Sequence, residues 1–151
     1  MRCNCGVDPK YLADQHVIVE ARELGMVAGS LKYNNMRVVG IIPKKLSLGK
    51  GHLNFFKDKL GYLYRRWLIV KAECEDRGFN IQKPFYDLST FPQEYVNNWT
   101  PDIDDSLILR DRIIEKLNMR PGWYRYRGKY IAIDKLPEFC QVLRDSPLFL
   151  V

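Results

Sequence analysis

Between Leu53 and Cys74 the chain carries its most constraining pattern: Leu53, Phe56, Leu60, Leu63, Trp67, Val70 and Cys74 recur at three- and four-residue steps. Lys57, Lys59, Arg65, Arg66 and Lys71 are interleaved with them. At 3.6 residues per turn this spacing gathers the apolar groups on one stripe and leaves the cations on the rest of the surface. It predicts one long amphipathic helix ending near Gly78. Such a helix must hide its stripe against other elements, so the chain is committed to a mainly α domain built around it.

The covering elements are legible at lower contrast. Asp8-Pro9 offers an acidic N-cap followed by proline at the first helical position, which predicts a helix to about Gly25. On it Leu12, Gln15, Val19, Arg22, Glu23 and Met26 share one stripe, a mixed set that is unusual for core. From about Ala28 to Gly51 the turn formers Gly29, Asn34-Asn35, Gly40, Pro43 and Gly49 predict loop with short extended pieces. A connecting region follows Gly78, with a turn or two of helix between Leu88 and Tyr95. Asp104, Asp105 and Ser106 supply cap oxygens for a third helix that stops before Arg120-Pro121, and Asp134 to Arg144 predicts a short closing helix. The expectation is one domain over residues 1–151, with about three main helices, long loops and residues 132–151 as a C-terminal extension packed on or beside it.

Composition limits the function classes. With 46% hydrophobic residues the 151-residue chain has ample material for a core, and no run approaches the roughly 18 apolar residues of a membrane span. A soluble, cytoplasmic monomer without membrane contact is expected. Twenty-four Lys and Arg against eighteen Asp and Glu give +6, a surplus that favours nucleic acid as partner. Cys3, Cys5, Cys74 and Cys140 form no Cys-x-x-Cys pair, so reduced thiols rather than a zinc site are expected.

Three separated segments carry a resemblance. They are Leu12-Ala13-Asp14-Gln15-His16 with Arg22-Glu23-Leu24; Leu48-Gly49-Lys50-Gly51-His52 through Phe55-Phe56-Lys57-Asp58-Lys59-Leu60 to Arg77-Gly78-Phe79-Asn80-Ile81; and Arg120-Pro121-Gly122-Trp123-Tyr124. In order and approximate spacing they resemble the phage-type pyrimidine-dimer DNA glycosylases, the endonuclease V repair family. The resemblance implies a single, mostly helical domain that recognises cyclobutane pyrimidine dimers in duplex DNA. It further implies cleavage of the glycosidic bond, strand scission by β-elimination, and expulsion of a base opposite the lesion.

It also implies the chemistry. A glycosylase that is also an abasic-site lyase needs an amine nucleophile able to become a Schiff base, and the family uses its N-terminal amine. An α-amino group has a reference pKa of about 7.7–8.0 against about 10.4 for lysine, so a useful fraction is uncharged near neutrality. Arg2 is too bulky for routine methionine removal, so Met1 is expected to be retained. Met1-Arg2-Cys3-Asn4 then aligns with the family's mature start, one residue being inserted before Leu12. Met1 is thus the candidate nucleophile and Glu23 the carboxylate that stabilises the cationic sugar and removes the 2′ proton.

Arg2 and Arg22 are candidates to grip phosphate or an extrahelical nucleotide through guanidinium forks. Gln15 matches a base-reading or supporting position, and His16 either a phosphate contact or a core hydrogen bond. Lys50 and His52, in Gly49-Lys50-Gly51-His52, precede the long helix, where free amides suit a phosphate. Arg112, Lys116 and Arg120 form a stripe at four-residue steps that reads equally as a DNA track or a solvated face. In the aromatic run, Trp123 is expected to pack while Arg125 or Lys129 faces DNA. Met26 stands where the family often has an arginine. No metal ligand cluster is evident and the chemistry calls for no cofactor, so activity is expected in the presence of a chelator. Two alternatives stay open: a repair lyase with shifted lesion preference, and a non-catalytic DNA-binding protein.

Overall fold

In the computed structural model, which describes residues 1–151 throughout, the first helix signal yields less helix than its caps suggest. Asp8 accepts from the Lys10 amide at 3.0 Å, but only the turn Pro9–Tyr11 forms before Leu12 and Ala13 go extended. Arg77 is the reason. Its Nη1 donates to Leu12 O at 2.8 Å and its Nη2 to Pro9 O at 3.0 Å, taking carbonyls that a continuing helix would need. Helix α1 therefore spans Asp14–Glu23.

The segment from Ala28 onward, expected as loop, opens inside a helix. α2 covers Met26–Tyr33 and buries Val27, Ala28 and Leu31. Gly29 sits within it because the Tyr86 hydroxyl would lie 2.9 Å from a Cβ there, so the glycine answers a packing need rather than a turn. The loop follows, with Asn35 and Met36 at φ 54 and 61.

The long amphipathic stripe is interrupted in the same way. α3 (Lys50–Phe55) and a turn at Phe56–Asp58 precede α4 (Leu60–Asp76), with Lys59 off helical geometry at φ −126, ψ 36. Residues 96–97 wedge in at the break: Lys59 bridges Val96, Asn97 Nδ2 donates to Asp58 O at 2.9 Å, and Asn97 O accepts from Tyr62 N at 3.2 Å. Two of the cations assigned to the solvent side, Lys57 and Arg66, are buried.

Helix α5 (Ile103–Met119) starts earlier than the Asp104–Ser106 cluster suggests. Asp102 caps the Asp105 amide at 2.9 Å and Asp105 returns the bond to the Asp102 amide at 2.9 Å, a reciprocal capping box. An unexpected hairpin follows, β1 (Arg125–Tyr126) antiparallel to β2 (Lys129–Tyr130). Its two-residue turn has Arg127 and Gly128 at φ 49 and 81, the twist that matches paired strands. α6 (Leu136–Asp145) closes the chain. One core of 31 buried residues unites the elements, with α1 packed along α4 and α5 along α6. No helix is long and apolar enough to cross a membrane, and all four cysteines are free and buried.

Candidate active site

Residues 3–7 run buried through the protein interior, turning at Cys5–Gly6 where Val7 N donates to Asn4 O at 3.2 Å, and hydrogen bonds from other elements fix their course. The Cys3 amide donates to His52 Nε2 at 3.2 Å, while His52 Nδ1 lies 3.1 Å from Ser47 O. An acceptor on one side and a carbonyl on the other require the neutral ring with its proton on Nδ1. Burial agrees, pushing the His52 pKa down to about 4. Asn4 donates its amide to Glu20 Oε1 at 3.0 Å and its side-chain nitrogen to Glu20 Oε2 at 2.9 Å. Arg66 pairs with the same carboxylate from Nε at 2.8 Å and Nη2 at 3.1 Å, with both partners at 0% exposure. Held this way, the strand presents the Met1 amine 4.0 Å from Glu23 Oε2, whose side chain is 35% exposed.

Cations surround this pair. Arg112 is half-buried, its pKa lowered first by burial and then by repulsion from Arg2, with Glu23 and Glu115 opposing. Arg2, Gln15, His16, Lys116, Arg120 and Trp123 converge on a cleft of about 280 Å³ beside it. Burial, then the charges of Arg2, Arg112 and Lys116, pushes His16 down to about 4. Its ring packs on Tyr124 at 4.8 Å and its Nδ1 has no partner. Arg22, exposed on α1, lines a smaller cleft of about 200 Å³ with Asn80, Gln82 and Lys83.

Several candidates stand elsewhere than expected. His52 is 1% exposed and His16 is 3% exposed, so neither ring lies open for a phosphate; His52 instead holds the strand. Gln15 is oriented by the chain at both ends of its amide, donating to Trp123 O at 3.0 Å and accepting from the Arg125 amide at 3.0 Å, with one N–H and one lone pair left over at the cleft. Trp123, expected as packing, is 43% exposed beneath the Arg120 guanidinium at 3.9 Å, and the ring that packs is Tyr124. Lys50, Lys116, Arg120, Arg125 and Lys129 are exposed. Asp14 stabilises the hairpin turn, accepting from the Arg127 and Gly128 amides at 2.9 and 2.8 Å.

A family model described as pyrimidine dimer DNA glycosylase matches residues 3–87. The chain belongs to that family. It is a DNA-repair glycosylase, and damaged DNA is its substrate. The match takes in the anchored strand, α1 with Glu20 and Glu23, and α4 with Arg66; α5, the hairpin and α6 lie beyond it.

Sequence reasoning passed over Asn4, Glu20 and Arg66, although a signal existed. Glu20 falls among Val17, Ala21 and Leu24 on the core stripe of α1, and Arg66 between Leu63 and Val70 on that of α4. One acid and one base on two apolar stripes are a pair in waiting. A second overlooked signal in this glycosylase is the stretch 24–57, which holds six Lys and Arg and no carboxylate. The remainder of the chain balances at eighteen against eighteen, so the whole net charge of +6 sits on the segment that leaves the site after Glu23, passes His52 and ends at Lys57.

Proposed function

We propose that the protein cleaves the glycosidic bond at cyclobutane pyrimidine dimers in duplex DNA with the Met1 amine as nucleophile, and then acts as an abasic-site lyase. The observation that carries this reading is the Met1 amine 4.0 Å from Glu23 Oε2, next in the chain to Arg2, which lines a basic cleft with Lys116 and Arg120. A neutral amine attacks C1′ of the damaged nucleotide, a C–N bond forms, and the base leaves with the glycosidic electron pair. Opening of the sugar converts the adduct to a Schiff base. Glu23 stabilises the cationic sugar and imine, then removes a 2′ proton so that the 3′ phosphate leaves by β-elimination.

The remaining roles follow from charge and shape. Arg2, Lys116 and Arg120 bind phosphates flanking the lesion, with Arg112 adding positive potential at Glu23. Arg125, Lys129 and Lys50 extend the track along the duplex. A dimer cannot react inside an undistorted stack, so the enzyme bends the duplex and expels a nucleotide opposite the lesion. The Arg22 cleft, with two amide side chains and Lys83, suits that nucleotide. The protein acts as a monomer and needs no metal or cofactor for these steps.

Borohydride reduction during reaction with ultraviolet-irradiated duplex tests the proposal. A covalent adduct should form and map to Met1, in the presence or absence of chelator. No adduct, or an adduct on a lysine, overturns the amine assignment. Acetylating the N-terminal amine should abolish cleavage while sparing binding, whereas a non-catalytic binder would be indifferent in cleavage assays throughout.

A further inference from the structure

The segment that carries Met1 is gripped at a second place, at Gly6 and Val7, by α4, α5 and residues 149–151. Gly6 O accepts from Ser106 Oγ at 2.9 Å, Arg110 Nη2 at 3.2 Å and the Phe149 amide at 3.1 Å. One residue on, Val7 O accepts from Arg66 Nη1 at 2.7 Å, and the same nitrogen donates to Val151 O at 2.8 Å. Gly6 is the only residue type that fits, because its φ is +77 and a Cβ would stand 2.5 Å from Ser106 Cβ.

Arg110 joins the two chain ends. It is 2% exposed, and every acceptor it uses is uncharged: Ser106 Oγ at 2.7 Å, Gly6 O, and the carbonyls of Leu143, Arg144, Ser146 and Pro147. Two of those, the carbonyls of Leu143 and Arg144, belong to the last turn of α6, where the negative end of the helix dipole lies. A buried guanidinium without a carboxylate is costly to fold. Here its forked geometry ties the end of α6 and the 146–147 turn to the carbonyl of Gly6, five residues from the Met1 amine.

We propose that α6 and residues 146–151 form a backstop for the N-terminal strand, with Arg110, Ser106 and the Phe149 amide as positioning groups for the nucleophile. They touch no substrate. They hold the Gly6–Val7 carbonyls against α5 and α4, so the amine cannot recede from Glu23 when DNA presses on it. This assigns residues 132–151, which lie beyond the family match at 3–87, a part in catalysis. The inference rests on the amine reading above.

The test uses full-length protein and single-turnover borohydride trapping at saturating dimer-containing duplex. Phe149→Pro removes the amide donor to Gly6 O, Phe149→Ala removes the ring but keeps the donor, and Ser106→Ala removes both a donor to Gly6 O and the acceptor of Arg110 Nε with little change in volume. A displacement near 1 Å is enough to slow an oriented reaction by one to two orders of magnitude. The trapping rate constant should fall about tenfold in Phe149→Pro and in Ser106→Ala, and stay within about twofold of wild type in Phe149→Ala. Affinity for the duplex and the fraction of enzyme trapped should be retained in all three. A purely structural role would instead reduce the trapped fraction and leave the rate constant of the folded remainder unchanged. Wild-type rate constants in folded Phe149→Pro or in Ser106→Ala overturn the proposal, as does equal slowing in Phe149→Ala. Should Phe149→Pro not fold, Ser106→Ala decides alone. Failure of the wild-type protein to trap at all is a different result, and it removes the amine assignment itself.

Discussion

Two buried histidines should make the fold acid-sensitive in a narrow window, and one of them can be removed cleanly. His16 and His52 each have a pKa pushed from 6.5 down to about 4, chiefly by burial. The folded state keeps both rings neutral where the unfolded chain already binds protons, so stability is complete above pH 6.5 and is lost as pH falls from there to about 4. At pH 5 each ring has forfeited about 2 kcal/mol, or about 4 kcal/mol for the pair, a large share of the roughly 5–15 kcal/mol typical of a domain. His16→Phe keeps a ring against Tyr124 and deletes the Nδ1 that has no partner. Urea midpoints at constant ionic strength from pH 7.5 to 5 provide the assay. The wild type should lose about 4 kcal/mol and His16→Phe about 2 kcal/mol, with similar stability at pH 7.5. A flat wild-type profile, or an undiminished drop in the variant, would refute the argument that these rings are held neutral by burial.

Glu23→Gln preserves shape while removing the carboxylate 4.0 Å from the amine, so strand cleavage should be lost and binding to dimer-containing duplex retained; gel-shift and nicking assays check both. Glu20→Gln leaves Arg66 buried without its counter-charge and should cost about 3–5 kcal/mol in urea unfolding. It should also slow trapping, because Asn4 loses a charged acceptor. Asp102→Ala removes one half of the capping box and should lower stability by about 1 kcal/mol without altering the trapping rate, read from thermal melts and single turnovers.

What was legible in the sequence depended on whether its cause was local. Helix α5 and the closing α6 are set by residues within a few positions of one another, and both were readable from spacing, although the α5 cap falls on Asp102 rather than within Asp104–Ser106. The breaks at Leu12–Ala13 and Lys59 were not, because their causes, Arg77 and the Val96–Asn97 segment, lie some 65 and 37 residues away in the chain. The hairpin escaped for a related reason. Arg127 would not be chosen for a left-handed position on propensity, and its turn is held by the Asp14 carboxylate on α1. Of the candidate site, the Met1–Glu23 pairing came from the aligned chain start and Arg22-Glu23-Leu24. The Glu20–Arg66–Asn4 anchor did not, because charged residues are read as solvent-facing by default even when the stripe places them inside.

The placement of these groups along α1 explains why one short helix governs both ends of the site. At 1.5 Å per residue, Asp14 and Glu23 are about 13 Å apart along the axis. The first turn holds the hairpin through Asp14 and Gln15, the middle holds the N-terminal strand through Glu20, and the last turn offers Glu23 to the amine. The apolar face, Val17, Ala21 and Leu24, packs on α4, which supplies Arg66 and Arg77 to the polar groups on either side. Orientation is thus set by rigid elements rather than by the loops between them, the arrangement that best holds the amine and the Glu23 carboxylate at a fixed separation. It follows that a substitution tilting α1, even one far from Glu23 such as at Asp14, displaces the hairpin cations and the amine–carboxylate pair together.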